Sequence, residues 1–128
     1  MIKEDYVSFE VAKLLKEKGF NEPYYRCSRV YNENGTLQPH HYVRIDGFKY
    51  ISAPTLQMAM KWLREEHSIF IDIMSRFSMN ADKDVCFSYS CKKLTGTYKS
   101  GYEYGDGEWL NYEEACEAAI KYCLENLI

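Results

Sequence analysis

Three histidines are the side chains of this 128-residue chain most suited to acid–base or metal chemistry. His40 and His41 are adjacent, and neighbours in an extended segment point to opposite sides, so one metal ion rarely binds both. No carboxylate or cysteine stands near them at a recognised ligand spacing. His67 follows a predicted helix, where a histidine suits the helix dipole. The sequence therefore predicts neither a metal site nor a catalytic histidine.

The thiols are the second group with chemical potential. The chain has an odd number of cysteines and no secretory signal, which favours free, buried thiols. These five residues are Cys27, Cys86, Cys91, Cys116 and Cys123. The Cys86–Cys91 spacing places the two on opposite faces of a strand, whereas Cys116 and Cys123 share one face of a helix. Neither pair has the CxxC spacing of a redox or zinc motif. Since the sequence also has no nucleophile elbow, phosphate-binding glycine loop or metalloprotease helix, no catalytic residue, cofactor or small-molecule ligand is predicted.

Twelve tyrosines are the unusual feature of the composition. Tyr98, Tyr102 and Tyr104 alternate along one predicted strand, and an aromatic sheet face can stack nucleic-acid bases. Such binding also needs a basic groove, whereas this chain has 16 Lys+Arg against 19 Asp+Glu. Tyrosine is also enriched at protein interfaces. Nucleic-acid binding is therefore the alternative hypothesis, and a protein partner is the favoured one.

The stretch "APTLQMAMKWLREEH" predicts an amphipathic helix that starts at Pro54 or Thr55. Its apolar arc extends past the width of one core-facing stripe to Met58 and Trp62. These two residues either flank the core or contact a second chain. The predicted partner contacts are Met58, Trp62, Tyr98, Tyr102 and Tyr104.

Two further helices carry cap signals. Ser8 is suited to start a helix that Gly19 ends, and Asn111 with Glu114 forms a capping-box pattern before a third helix. Strands are predicted at 24–31, at two short runs around Asp46-Gly47, and in the later stretches that alternate with period two.

Those later strands begin at Ile69 and Val85, with a third over the tyrosines that Gly105-Asp106-Gly107 ends. Asn34-Gly35 predicts a turn, and residues 36–40 a loop. The expected fold is α+β: three helices packed on an antiparallel sheet of about four to five strands, in the order α-β-β-α-β-β-β-α.

Length and composition predict a single domain over 1–128. No run reaches the ~18 apolar residues that a membrane span requires. The N-terminal residues lack the pattern of a signal peptide. These features, with a formal net charge of −3, favour a cytoplasmic protein without a membrane partner.

Three blocks, "VSFEVAKLLKEKGF", "APTLQMAMKWLREEHSIFIDI" and "YEEACEAAIKYCLENLI", resemble a family of short uncharacterised proteins from gut anaerobic bacteria and their prophages and mobile elements. The blocks cover under half of the chain. The resemblance implies a bacterial cytoplasmic setting of prophage origin and supplies no activity or catalytic residue. The sequence thus predicts a non-enzymatic accessory factor that binds a protein partner or assembles with itself.

Overall fold

The computed structural model describes residues 1–22, 27, 29–39, 50–77, 85–95 and 99–128; for 95 and 99–108 the description is limited to the backbone. The helices are α1 Phe9–Glu17, α2 Leu56–His67 and α3 Tyr112–Asn126. The strands are β1 Arg29–Tyr31, β2 Leu37–Pro39, β3 Ile51–Ala53, β4 Ile69–Phe77, β5 Val85–Thr95 and β6 Lys99–Trp109. Contacts divide the chain into two compact units, Met1–Ala59 and Met60–Ile128. The prediction of a single domain stays a prediction.

The helix starts lie at the predicted caps. The N–H of Val11 donates to Ser8 Oγ at 3.2 Å, and the N–H of Glu114 donates to Asn111 Oδ1 at 2.8 Å. At the start of α2, the N–H of Met58 donates to Thr55 Oγ1 at 3.1 Å. Gly19 follows α1 with a φ of 100°, the left-handed conformation expected of a residue that ends a helix.

In the first unit, three short antiparallel strands form a sheet in the order β2-β1-β3. The turn between β1 and β2 contains Asn34-Gly35 as predicted, with a φ of 78° at Gly35. The residues predicted as a loop, 36–40, include strand β2, which ends at Pro39. Proline is accepted there because β2 lies at an edge of the sheet, where its missing N–H removes no ladder hydrogen bond. The predicted turn at Asp46-Gly47 lies outside the described residues.

In the second unit, three longer antiparallel strands form a sheet in the order β4-β5-β6, and α3 contacts all three. Lys93 lies near the C-terminal end of α3, and Phe87 lies near its N-terminal end, so the helix runs in the direction of β5. The prediction that Gly105-Asp106-Gly107 ends the third of these strands is wrong. β6 continues to Trp109 because the register shifts between Phe87 and Tyr89, an irregularity that glycines in a strand accommodate.

The α+β class, the three helices and the antiparallel pairing are confirmed. The observed order has one additional short strand before α2, and the described strands form two three-stranded sheets in place of one sheet of four to five. No helix in the described part of the chain combines the length and the apolar character needed to cross a membrane.

Candidate functional site

The two partner-contact residues predicted on α2 are only partly accessible. Met58 and Trp62 are both half-buried. The Trp62 ring meets the ring of His67 edge-on, with 4.6 Å between the centroids and 70° between the planes. Trp62 therefore already makes a contact within its own helix, and its role in binding a partner stays a prediction.

Two of the three predicted tyrosine contacts, Tyr102 and Tyr104, lie in β6. Tyr98 falls outside the described residues. The backbone of Tyr102 pairs with Lys92, and that of Tyr104 pairs with Ser90. These register positions place two of the three tyrosines in one strand, as the alternation predicts, and their role as contacts stays a prediction.

A different surface emerges where β4 and β5 extend beyond α3. The helix covers the face that carries Phe87, Tyr89 and Cys91, and its first residue, Tyr112, meets the Phe87 ring edge-on at 6.1 Å. Beyond that point the directly paired Phe77 and Val85 are 70% and 47% exposed. The apolar alternation that begins at the fully buried Ile69 thus continues past the end of its cover.

The opposite face of β4 carries an ordered set of exposed side chains. Asp72, Met74 and Arg76 alternate along it, and Met74 is 41% exposed. Asp72 forms an ion pair with Lys92 at 3.8 Å, with the two side chains 59% and 42% exposed. Such an exposed pair contributes little to stability, about 0–1 kcal/mol.

Along β4, the backbone groups on one side form hydrogen bonds to β5, and those on the other side point away from the sheet. The N–H of Leu94 donates to the carbonyl oxygen of Ser68 at 2.8 Å. Since antiparallel partners are hydrogen-bonded at every second residue, even-numbered residues of β4 bond to β5. The N–H and C=O groups of Ile71, Ile73, Ser75 and Phe77 therefore point away from the sheet. Among the described strands β4 pairs with β5 alone. We call residues 71–77 the β4 edge.

The cysteines contribute to packing. All five cysteines are buried, as predicted. Burial raises the pKa of Cys27 and of Cys116 to about 11. A hydrogen bond with Cys91 and burial both raise the pKa of Cys123. These shifts keep the thiols of Cys27, Cys116 and Cys123 protonated and unreactive near neutral pH.

His67 is the one histidine within the described residues. Burial and the charge of Lys93 lower its pKa, while Glu66 opposes the shift. No group of three or more His, Cys, Asp or Glu side chains in the described ranges is arranged to hold a metal ion. His40 and His41 lie outside those ranges.

Sequence reasoning predicted contacts on α2 and at the tyrosines and did not predict that Phe77, Val85 and Met74 are exposed. The signal was present in the alternation, since Phe77 continues the Ile69–Ile73 pattern. What the sequence does not reveal is where α3 ends along the sheet, which decides whether those residues are covered.

Comparison of the chain with protein-family models, with curated protein sequences and with solved structures finds no match in any of the three. The resemblance to proteins of gut anaerobic bacteria and prophages therefore stays a prediction.

Proposed function

We propose that this chain is a non-enzymatic cytoplasmic interaction protein that works by binding another protein chain, with self-association as its principal mode. The observation that carries the proposal is the exposed apolar pair at the end of the second sheet. Phe77 is 70% exposed, although it lies directly opposite Val85 in a regular strand pair. A large aromatic side chain exposed to water on a regularly paired strand is typical of a surface that a partner covers.

Two further apolar residues are exposed near the start of α3. Leu110 and Tyr112, at the start of α3, are 78% and 38% exposed, and the Tyr112 ring contacts Phe87 on the same face as Phe77. Glu113 and Glu114 are exposed beside them. An apolar centre with charged residues around it is the usual arrangement of a protein–protein interface.

Size-exclusion chromatography with light scattering tests the proposal on the reduced full chain over a range of concentrations. We expect a mass above that of the monomer, 15.1 kDa, and its loss in Phe77→Ser. The matched control is Leu94→Ser, because Leu94 is also exposed, at 44%, but lies on the other face and near the other end of β5. Equal effects of both substitutions would count against a specific surface.

The same assay separates this surface from the one predicted on α2. A Trp62→Ala variant that remains folded and loses the higher mass, while Phe77→Ser retains it, would move the interface to Met58 and Trp62. Circular dichroism of each variant shows whether the fold persists.

Binding to single-stranded oligonucleotides tests the alternative function. Lys92 lies opposite the backbone of Tyr102, but its charge is partly offset by Asp72 at 3.8 Å. A monomer with salt-dependent oligonucleotide affinity, weakened by Lys92→Ala, would replace the protein-interaction proposal.

A further inference from the structure

We infer that two copies of this chain pair through the β4 edge, antiparallel and with Met74 opposite Met74 on the two-fold axis. The β4-β5-β6 sheet of one copy and that of the other then form one six-stranded sheet. This inference rests on the proposed function and names its partner and its contact. It follows from the backbone, the charges and the apolar side chains of one strand.

The backbone of the strand is suited to this pairing. β4 is nine residues long and contains no proline, and its register with β5 is continuous from Ile69 to Phe77. Its outward N–H and C=O groups belong to the odd-numbered residues, as the Leu94–Ser68 hydrogen bond shows. With Met74 on the axis, Ile73 meets Ser75 and Ile71 meets Phe77. Both are pairs of outward-pointing residues, so each can exchange two backbone hydrogen bonds.

The charges select the register. With Met74 on the axis, Asp72 of each copy lies directly opposite Arg76 of the other, so the ion pair forms twice. Moving the axis to Asp72 or to Arg76 places like charges opposite each other, which is destabilising. Moving it to Ile73 places Asp72 opposite Met74 and Arg76 opposite Phe70. Moving it to Ser75 places Arg76 opposite Met74 and leaves Asp72 beyond the end of the other β4, so neither register brings opposite charges together. One strand therefore carries both the negative and the positive charge of the contact. This self-complementarity favours a second copy over a different chain.

Asp72 and Arg76 are both available for this contact. The Asp72 side chain is 59% exposed even with Lys92 beside it. Arg76 is exposed and already has an interaction within the chain. A guanidinium has five N–H donors and a carboxylate accepts several hydrogen bonds, so both residues can keep their present partners.

The apolar face gains from the same register. Phe77, 70% exposed in the single chain, comes to lie opposite the half-buried Ile71 of the other copy. An aromatic residue opposite a β-branched residue is a favourable cross-strand pair. The exposed end of one sheet is thus covered by the better-packed middle of the other, and pairing also protects an open strand edge.

A charge-swap series tests the register by light scattering after size exclusion. Asp72→Arg and Arg76→Asp should each raise the dissociation constant of the dimer at least tenfold, because each substitution creates two like-charge contacts. The double variant should recover the dimer, since the charges are again opposite. Lys92→Ala is the control, because it removes the ion pair within the chain and leaves the β4 edge unchanged.

Cross-linking tests the axis independently of the charges. Residues opposite each other in a pair without backbone hydrogen bonds have Cα atoms about 4.5 Å apart, within the range that a disulfide spans. Oxidised glutathione should therefore convert two Met74→Cys chains into one disulfide-linked dimer and two molecules of glutathione. Wild type, whose thiols are all buried, and Asp72→Cys, displaced from the axis, should stay uncross-linked.

A dimer that responds to the charge swap and cross-links at residue 74 would support the inference. A dimer that does neither would overturn edge pairing and leave self-association in place, with the interface on another surface. A monomer at every concentration, without cross-linking at 74, would overturn both edge pairing and self-association. Circular dichroism confirms that each variant is folded, so weakened pairing is not mistaken for unfolding.

Discussion

Lys93 of β5 donates a hydrogen bond of 2.9 Å from Nζ to the carbonyl oxygen of Leu127, at the end of α3. The last turn of that helix contains no basic residue of its own. A strand thus supplies the positive charge that the negative end of the helix dipole favours. The contact also fixes the C-terminal end of α3 along the sheet.

Lys93→Met should lower the free energy of unfolding by about 1–2 kcal/mol, because the apolar stem is retained while the charged hydrogen bond is lost. Chemical denaturation monitored by circular dichroism measures the difference. Lys92→Met is the matched control, since its exposed ion pair should contribute only about 0–1 kcal/mol. Equal losses for both lysines would mean that the Leu127 contact has no special role.

The Tyr31 hydroxyl donates a buried hydrogen bond of 2.6 Å to the carbonyl oxygen of Val7. Tyr31→Phe should cost about 1–2 kcal/mol, because a buried acceptor loses its donor. Tyr31→Leu should cost more, since it also removes the ring that lies 5.3 Å from Phe9. Denaturation midpoints for the two variants give the comparison. A Tyr31→Phe variant as stable as wild type would show that the hydrogen bond to Val7 does not contribute to stability.

The pH dependence of stability should contain a contribution from His67. Its folded pKa is lowered, so the unfolded chain binds the proton more readily. The contribution is therefore complete above the ordinary histidine pKa of about 6.5 and is lost as pH falls through the lowered folded value. His67→Gln should reduce the stability loss between about pH 7 and pH 5, measured by denaturant titration at each pH. In Lys93→Met the His67 pKa, read from its NMR titration, should rise.

Alkylation tests the state of the thiols. With pKa values of about 11 for Cys27 and Cys116, the thiolate fraction near neutral pH is on the order of one in ten thousand. Iodoacetamide should leave the native chain unmodified by intact mass under conditions that alkylate it fully in denaturant. The exposed thiol of Met74→Cys is the positive control. Rapid alkylation of wild type would show that a cysteine is accessible.

Local signals predicted much of this fold. Asn111 starts α3 as expected because its side-chain cap depends on neighbouring residues alone. The alternation from Ile69 predicted β4 because the side-chain period of a strand is local. Both features can be derived without knowing what lies across the chain.

Pairing between distant segments was harder to predict. The sequence does not indicate whether the strands form one sheet or two. It also does not indicate that Pro39 ends a strand at the edge of a sheet. The candidate site escaped prediction for the same reason. The exposure of Phe77 depends on where α3 ends relative to β5, which is a long-range relationship that no periodicity records.

Both tryptophans of the chain, Trp62 and Trp109, lie in the unit Met60–Ile128. Indole fluorescence therefore reports on that unit alone, whereas circular dichroism sums the backbone of both. If the two signals change together during denaturation, the units unfold as one cooperative system. If the fluorescence transition occurs at a different denaturant concentration from the circular dichroism transition, the two units unfold separately and each has its own stability.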